Sequence, residues 1–161
     1  MRKTTRRTVL VVGGSALGVS FAGCLNSSVD STEAARFRAA TVYLDPGCAC
    51  CGDHADYLDS ANAEIEIVER STDELSDLKD AISIPPEYRS CHTTKLDSGY
   101  IIEGHVPVGV INELVNRSPP VKVVTLPGMP SGSPGMPGSK NDEWVFYAID
   151  DTGEIEEFWR I

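Results

Sequence analysis

Three of the five cysteines in the chain fall within four positions of one another, in the segment LDPGCACCGDH at residues 44–54. Cys48 and Cys51 have the spacing of a redox Cys-x-x-Cys pair, Cys50 lies between them, and His54 follows three residues later. A thiolate is both the nucleophile of disulfide exchange and a ligand for soft metal ions. The segment alone therefore leaves thiol–disulfide exchange and metal binding open.

Two further candidate ligands, Cys91 and His92, are adjacent and begin the segment CHTTKLDSGYIIEGH, which ends at His105. This segment contains two short runs of strand-forming residues on either side of the turn signal DSG, which predicts a β-hairpin. Pairing about this turn places Cys91 opposite His105. The hairpin is therefore expected to present Cys91 and His92 together, with His105 beside them.

The elements that must position these residues are indicated by periodicity and capping signals. FRAATVYL at 37–44 and AEIEIVE at 63–69 have the composition and alternation of strands, and a helix is expected between them. A second helix opens at Ser71, which has capping-box spacing with Glu74, and a third follows Pro107, which suits a first helical turn. With the hairpin, the order is β-α-β-α-β-β-α, which predicts an α/β fold of the thioredoxin-like, three-layer class.

In a thioredoxin-like fold, the turn after the first strand delivers its residues to the N-terminus of the first helix. Free N–H groups and the helix dipole there favour thiolate over thiol. At the start of the third strand, where redox members of this fold carry a proline beside the Cys-x-x-Cys pair, this chain has a Cys-His pair instead. The predicted metal site comprises Cys48, Cys50, Cys51, Cys91 and His92, with His105 adjacent.

Several of these assignments have a second interpretation. His54 either reaches the same site from the first helix or is a solvated surface histidine, and His105 is either a ligand or a strand-end histidine. The four cysteines can instead form structural disulfides, although the adjacent Cys50 and Cys51 are poorly suited to pairing with each other. Thiolates with imidazole suit both zinc and Cu(I). No pair of carboxylates and no Ser-His-Asp spacing indicates a hydrolase, and no catalytic residue is predicted.

Beyond the last helix lies LPGMPSGSPGMPG at 126–138, which is dense in glycine and proline and predicts an irregular loop. Met129 and Met136 repeat a P-G-M-P pattern in this loop. A thioether favours Cu(I) over harder ions, so both methionines are candidate ligands, although they can equally fill gaps against the domain. EWVFYAID and EIEEFWRI, on either side of DTG, predict a closing hairpin.

The N-terminus has the pattern of an export signal. Arg6 and Arg7 precede an apolar run that is too short to span a bilayer, which predicts a twin-arginine signal. The run ends in SFAGC, where Cys24 is the expected lipidated cysteine of a lipobox; the alternative is ordinary cleavage nearby with Cys24 incidental. The protein is therefore expected to be exported by the twin-arginine route and lipid-anchored on the outer face of the cytoplasmic membrane. The expected organisation is a signal peptide at 1–23, a polar tether at 24–36 and a metal-binding domain at 37–161.

The charge of the chain is strongly negative. The 161 residues carry a formal net charge of −10, and removal of residues 1–23, which hold four of the 14 basic residues and none of the 24 acidic ones, makes it −14. Such a surface disfavours nucleic acids and anionic lipid headgroups as partners. The hydrophobic content of 41% is sufficient for the core of one domain. Acidic composition together with twin-arginine export is typical of salt-loving archaea, and we expect a haloarchaeal source.

Four ordered motifs, CACC, SCHT, EGHVP and PGMPSGSPGM, resemble the CopG-like family of exported copper-resistance proteins over about residues 40–149. That family has a thioredoxin-like domain with a Cys-x-Cys-Cys site and a Cys-His partner. Ala49, where glycine is more usual, and a less basic stretch at 52–54 are departures that remove no ligand. The resemblance implies copper, as Cu(I) bridged by thiolates in a multinuclear site, with the ligands Cys48, Cys50, Cys51, Cys91 and His92.

The expected function is that of a non-catalytic protein that sequesters Cu(I) outside the membrane or hands it on to other copper-handling proteins. Redox cycling of the bound metal is compatible with this function. The alternatives are a thiol–disulfide oxidoreductase that uses Cys48 and Cys51, and a binding module stabilised by zinc.

Overall fold

The computed structural model describes residues 33–161. The predicted twin-arginine signal, the lipobox cysteine Cys24 and most of the tether lie outside the described residues and stay predictions. Within residues 33–161, no helix combines the length and apolar character needed to cross a bilayer.

The described residues form seven strands, three α-helices and one 3₁₀ helix. In chain order the elements are β1 (Ala39–Leu44), α1 (Ala49–Ser60), β2 (Glu64–Glu69), α2 (Thr72–Ala81), the 3₁₀ helix (Pro86–Tyr88), β3 (Thr93–Leu96), β4 (Ile101–Glu103), α3 (Val108–Arg117), β5 (Val123–Thr125), β6 (Val145–Ile149) and β7 (Ile155–Arg160). One mixed sheet has the strand order β2-β1-β3-β4-β5-β6-β7. The predicted α/β, thioredoxin-like fold with its closing hairpin is confirmed.

The sheet is covered on both faces, as a three-layer domain requires. Successive residues of a strand point to opposite faces, and β4 demonstrates this clearly. Ile102 packs in the cluster that contains Leu58 of α1 and Ile111 of α3, whereas Ile101 packs in a second cluster with Ile84. Helices α1 and α3 therefore cover one face, and the segment that follows α2 covers the other.

The second helix begins and ends where the sequence predicts. The Ser71 side chain accepts a hydrogen bond from the Glu74 N–H, and the Glu74 carboxylate accepts one from the Ser71 N–H at 2.8 Å, which is the reciprocal capping box. The helix ends at Ala81, shortly before Pro85 and Pro86 prevent its continuation.

The hairpin of β3 and β4 has the predicted register. Thr93 faces Glu103 and Thr94 faces Ile102, and the pairing continues past the strands through a hydrogen bond from Gly104 N–H to the His92 carbonyl at 3.0 Å. One further step along this register brings Cys91 opposite His105. The hairpin therefore determines which residues meet at the open end of these two strands.

Two features differ from the sequence prediction. Strand β5 is not predicted, because its three residues are all buried and so lack the polar–apolar alternation that identifies a strand. It pairs in parallel with β4 and antiparallel with β6, and so joins the closing hairpin to the sheet. In addition, residues 33–36 of the predicted tether pack on the domain, because Ala35 N–H bonds to the Ala61 carbonyl and Arg36 N–H to Asn112.

Candidate metal centre

The turn after β1 and the segment before β3 bring four cysteine sulfurs together. Cys48 is the N-cap residue of α1, and Cys50 and Cys51 lie in its first turn. Cys91 arrives from the other side, immediately before the His92 that precedes β3. The four sulfur atoms all lie within 4.8 Å of one another. The thioredoxin fold thus brings the cysteine cluster at 48–51 together with Cys91, although the two are distant in sequence.

Two of these sulfurs are bonded to each other. Cys48 and Cys51 form a disulfide, and Cys50 and Cys91 are free thiols. The bond forms because the Cys-x-x-Cys spacing at a helix N-terminus brings the two Cα atoms to 5.4 Å, within disulfide reach, and it removes two sulfurs of the predicted metal site from the thiol state. The Cys50 sulfur lies 3.5 Å from that of Cys48. In this state the cluster offers two thiols and one disulfide.

Three imidazoles lie directly behind the sulfurs. His54, His92 and His105 are each 0% exposed, and their ring centroids are about 5 Å apart. Nδ1 of His92 lies 3.2 Å from the Cys91 sulfur and Nε2 of His105 lies 3.1 Å from it. Cys91, His92 and His105 therefore form a second group of potential ligands that shares Cys91 with the first.

The interpretation of His54 as a solvated surface histidine is wrong. The side chain faces the core from α1, where Nε2 lies 3.2 Å from the Val106 carbonyl oxygen and Nδ1 lies 2.9 Å from Nε2 of His92. His54 thus lies beside the site and contacts the candidate ligand His92. A helical position three residues after the last cysteine of the cluster is the sequence signal for this placement.

Burial determines the protonation of this group. Desolvation lowers the pKa of His54 to about 3, with the nearby His105 adding to the effect. Desolvation also lowers the pKa of His92 and that of His105. In contrast, burial, together with the nearby Cys50, raises the pKa of the Cys91 thiol to about 11. At neutral pH the three imidazoles are therefore uncharged, and a metal ion that binds Cys91 must displace its proton.

A buried ion pair holds the backbone that carries Cys91. Glu103 is 0% exposed and accepts hydrogen bonds at 2.6 Å from Lys79 Nζ, from the Ser90 N–H and from the Thr93 hydroxyl. Lys79 also donates to the Ser90 carbonyl. Burial raises the pKa of Glu103, and Lys79 opposes that effect. One ion pair thus fixes both the N–H and the carbonyl group of Ser90, the residue before Cys91. The only sequence signal for this ion pair is the charged Glu103 at the end of an otherwise apolar strand.

The loop at 126–138, which is rich in glycine and proline and contains two methionines, covers the three imidazoles; we call it the Gly/Pro/Met loop. The Pro134 carbonyl oxygen lies 2.7 Å from Nδ1 of His105. Gly135 lies so close to α1 that a Cβ atom there would be 2.7 Å from the backbone nitrogen of His54 and 2.8 Å from the Cys50 carbonyl oxygen. The loop backbone therefore packs directly on the first turn that carries the cysteines.

The two methionines of this loop are not equivalent. Met129 is 39% exposed, whereas Met136 is half-buried next to Gly135. Their predicted role as copper ligands stays a prediction for both residues.

Replacing Gly135 by alanine is expected to destabilise the protein. Gly135 has a φ of +80°, which costs an L-residue on the order of 1–3 kcal/mol, and the added Cβ collides with backbone atoms that cannot move easily. Gly128 also has a φ of +80°, but nothing lies within 4 Å of its Cβ position. Gly128→Ala is therefore the matched control, and urea denaturation should give the larger loss of unfolding free energy for Gly135→Ala. Equal losses in the two variants would contradict the close packing of this loop.

A surface cleft gives access to the sulfurs. It has a volume of about 520 Å³ and lies between α2, the turn that follows β1 and the segment before β3. Its lining includes Cys48, Cys91, Asp45, Thr72 and Arg89. An ion, or a donor group on another molecule, can therefore approach the cysteine cluster without crossing the core.

Comparisons with known proteins point to one family. A model of the family described as "Protein of unknown function, DUF411" matches residues 88–136, which include Cys91, His92 and His105. Two solved structures titled copper resistance protein CopG are similar over most of the chain. Form 1 has a TM-score of 0.67 and 29% identity, and the match covers 78% of this chain and 98% of that structure. Form 2 has a TM-score of 0.68 and 31% identity, with 76% and 97% covered. No curated protein matches the chain significantly in sequence.

Proposed function

The chain belongs to the CopG-like family of copper-resistance proteins, and on that premise we propose that it binds copper as Cu(I) and sequesters it or hands it on. The observation that carries this proposal is the convergence of four cysteine sulfurs within 4.8 Å. The copper in this proposal is cargo. The ligands proposed for it are Cys48, Cys50, Cys51, Cys91 and His92, with His105 beside them.

The donor set favours a soft cation. Cysteine sulfur and imidazole nitrogen suit Cu(I) and zinc, whereas harder ions prefer oxygen ligands. Among the residues that the structure describes, there are two groups of potential ligands, and both consist only of cysteine and histidine. The two groups share Cys91, and together they offer more donors than one tetrahedral ion uses. This surplus supports a site with more than one copper ion, bridged by thiolates.

Loading of the full site requires reduction of the Cys48–Cys51 disulfide. Two electrons and two protons from an external thiol reductant convert this bond to two thiols. Metal binding then releases the thiol protons, including that of Cys91. We propose that the reduced protein binds copper through all four sulfurs and that the disulfide form binds less.

Anaerobic titration with Cu(I) in the presence of a chromogenic competing chelator tests this proposal. We expect the reduced protein to bind more than one Cu(I) per chain and the disulfide form to bind fewer. Matched samples differ only in the oxidation of Cys48 and Cys51, which mass spectrometry after thiol alkylation verifies. Retention of one zinc ion with no uptake of Cu(I) would contradict copper binding and favour a zinc-stabilised module.

A second function is favoured by one specific observation. The Cys48–Cys51 disulfide lies at the N-terminus of α1, and Cys48 lines the open cleft while Cys51 is buried, which is the arrangement of a thiol–disulfide oxidoreductase. An insulin reduction assay with an added thiol reductant distinguishes the two functions. A metal-free protein that catalyses insulin reduction and does not bind Cu(I) would support the oxidoreductase and contradict the copper proposal.

We also propose that the protein acts outside the cytoplasm. The support is in the sequence, where Arg6 and Arg7 precede an apolar run that ends at Cys24. Export by the twin-arginine route and lipid attachment at Cys24 would hold the domain on the outer face of the membrane. Cys24→Ser should then release the exported protein into the medium, whereas continued membrane association of that variant would exclude the lipid anchor.

A further inference from the structure

His54 is buried between a backbone carbonyl and another imidazole. Its Nε2 atom lies 3.2 Å from the Val106 carbonyl oxygen, and its Nδ1 atom lies 2.9 Å from Nε2 of His92. A carbonyl oxygen only accepts hydrogen bonds, so the hydrogen of the His54 ring is on Nε2. A neutral imidazole carries a single N–H, and Nδ1 of His54 is therefore an acceptor.

This arrangement determines which nitrogen of His92 is free. Because Nδ1 of His54 accepts, Nε2 of His92 must donate, and Nδ1 of His92 keeps its lone pair. That lone pair lies 3.2 Å from the Cys91 sulfur. The Val106 carbonyl thus acts on His92 through His54, over two consecutive hydrogen bonds.

His105 also presents an unprotonated ring nitrogen to Cys91, but a different carbonyl group fixes its tautomer. Its Nδ1 lies 2.7 Å from the Pro134 carbonyl oxygen and must donate, which leaves Nε2 as a lone pair 3.1 Å from the Cys91 sulfur. Two nitrogen lone pairs therefore point at one thiol, which has only one hydrogen to donate. The unmatched lone pair is the arrangement that a metal ion bound to Cys91 would satisfy.

We propose that His54 is a positioning residue that sets the tautomer of His92, so that His92 presents Nδ1 to a metal ion held by Cys91. Both ring nitrogens of His54 are engaged in hydrogen bonds, to Val106 and His92, so His54 itself is not a ligand. The inference deepens the proposed function and rests on it for the metal, whereas the tautomer is a property of the metal-free protein. Fixing a ligating histidine through its other nitrogen is worth roughly 10–100-fold in metal affinity.

Nitrogen NMR of the metal-free, reduced protein tests the tautomers directly. Long-range ¹H–¹⁵N correlation spectra distinguish protonated from unprotonated ring nitrogens. We expect the hydrogen on Nε2 in His54 and His92 and on Nδ1 in His105, which serves as an internal control because a separate carbonyl holds it. A hydrogen on Nδ1 of His92, or rapid exchange between its two tautomers, would overturn the proposal.

Two substitutions separate positioning from simple packing. His54→Leu fills the space without an acceptor, and we expect His92 to lose its single tautomer and Cu(I) affinity to fall roughly 10–100-fold. His54→Asn keeps an oxygen acceptor near the position of Nδ1, and should retain the His92 tautomer and most of the affinity. A folded His54→Leu variant in which His92 remains protonated on Nε2 would overturn the proposal.

If His54→Leu does not fold, the spectra of the unmodified protein still determine the tautomer of His92. They also test the role of His54 separately from copper binding. Protein with the expected tautomers that fails to bind Cu(I) would contradict copper binding and leave the role of His54 intact. Protein that binds Cu(I) with the other His92 tautomer would do the reverse.

Discussion

Replacing Cys91 by alanine should abolish copper binding at least as completely as replacing Cys48, although the two residues are far apart in the sequence. Cys91 is the member shared by the four-sulfur group and by the group that contains His92 and His105. Its removal therefore takes a ligand from both groups, whereas removal of Cys48 affects only one. We expect a loss of Cu(I) affinity larger than the roughly 100-fold that altering a neighbour of a ligand produces at most.

Competition titration of the two variants under reducing conditions measures this effect. Ser98→Ala is the control, because Ser98 is exposed in the turn at the opposite end of the β3–β4 hairpin from Cys91, and this variant should bind as much copper as the unmodified chain. Unchanged copper stoichiometry in Cys91→Ala would show that the segment before β3 is not half of the site. The two distant motifs would then not form one metal centre.

The ion pair of Lys79 and Glu103 should give the largest effect on stability. Lys79→Met leaves the Glu103 carboxylate buried without its partner, and breaking a buried pair from one side typically costs about 3–5 kcal/mol. Glu103→Gln keeps an oxygen that accepts from the Ser90 N–H but removes the charge. The double variant therefore contains no unpaired charge and should be more stable than Lys79→Met alone.

A double-mutant cycle by urea denaturation separates this coupling from general damage to the core. We expect the two substitutions to be strongly non-additive, since the side chains are in direct contact at 2.6 Å. Additivity within about 0.5 kcal/mol would show that the pair is not coupled. The same variants should bind Cu(I) more weakly than the unmodified chain, because the pair holds both peptide groups of Ser90, next to Cys91.

Much of this fold follows from local signals in the sequence. The capping box at Ser71 and Glu74, the turn between β3 and β4, and strand β2 each depend on neighbouring residues, and each is found where predicted, although Ile67 of β2 is 50% exposed. The meeting of Cys91 with the first cysteine cluster is a long-range consequence. It follows because the hairpin register is determined by its own turn and the thioredoxin order places that hairpin beside β1.

Other features depend on packing rather than on pattern. Helical spacing puts His54 within reach of the cysteines, but it does not distinguish a core-facing side chain from a solvated one, since the partners of His54, the Val106 carbonyl and His92, come from distant segments. The role of the Pro134 carbonyl likewise requires the path of an irregular loop, which has no periodicity. The Cys48–Cys51 bond has a local signal in its spacing, but that spacing serves a disulfide and a metal site equally well.

In the proposed centre, copper is held by the sulfurs of the two cysteine motifs. X-ray absorption at the copper edge of reduced, Cu(I)-loaded protein tests this arrangement, because it identifies both the oxidation state of the metal and the atoms around it. We predict Cu(I) surrounded mainly by sulfur, with a minor nitrogen contribution and a copper–copper scattering path from ions bridged by thiolates. Copper bound only by nitrogen and oxygen, with the cysteines still free to react with an alkylating reagent, would contradict the proposed site.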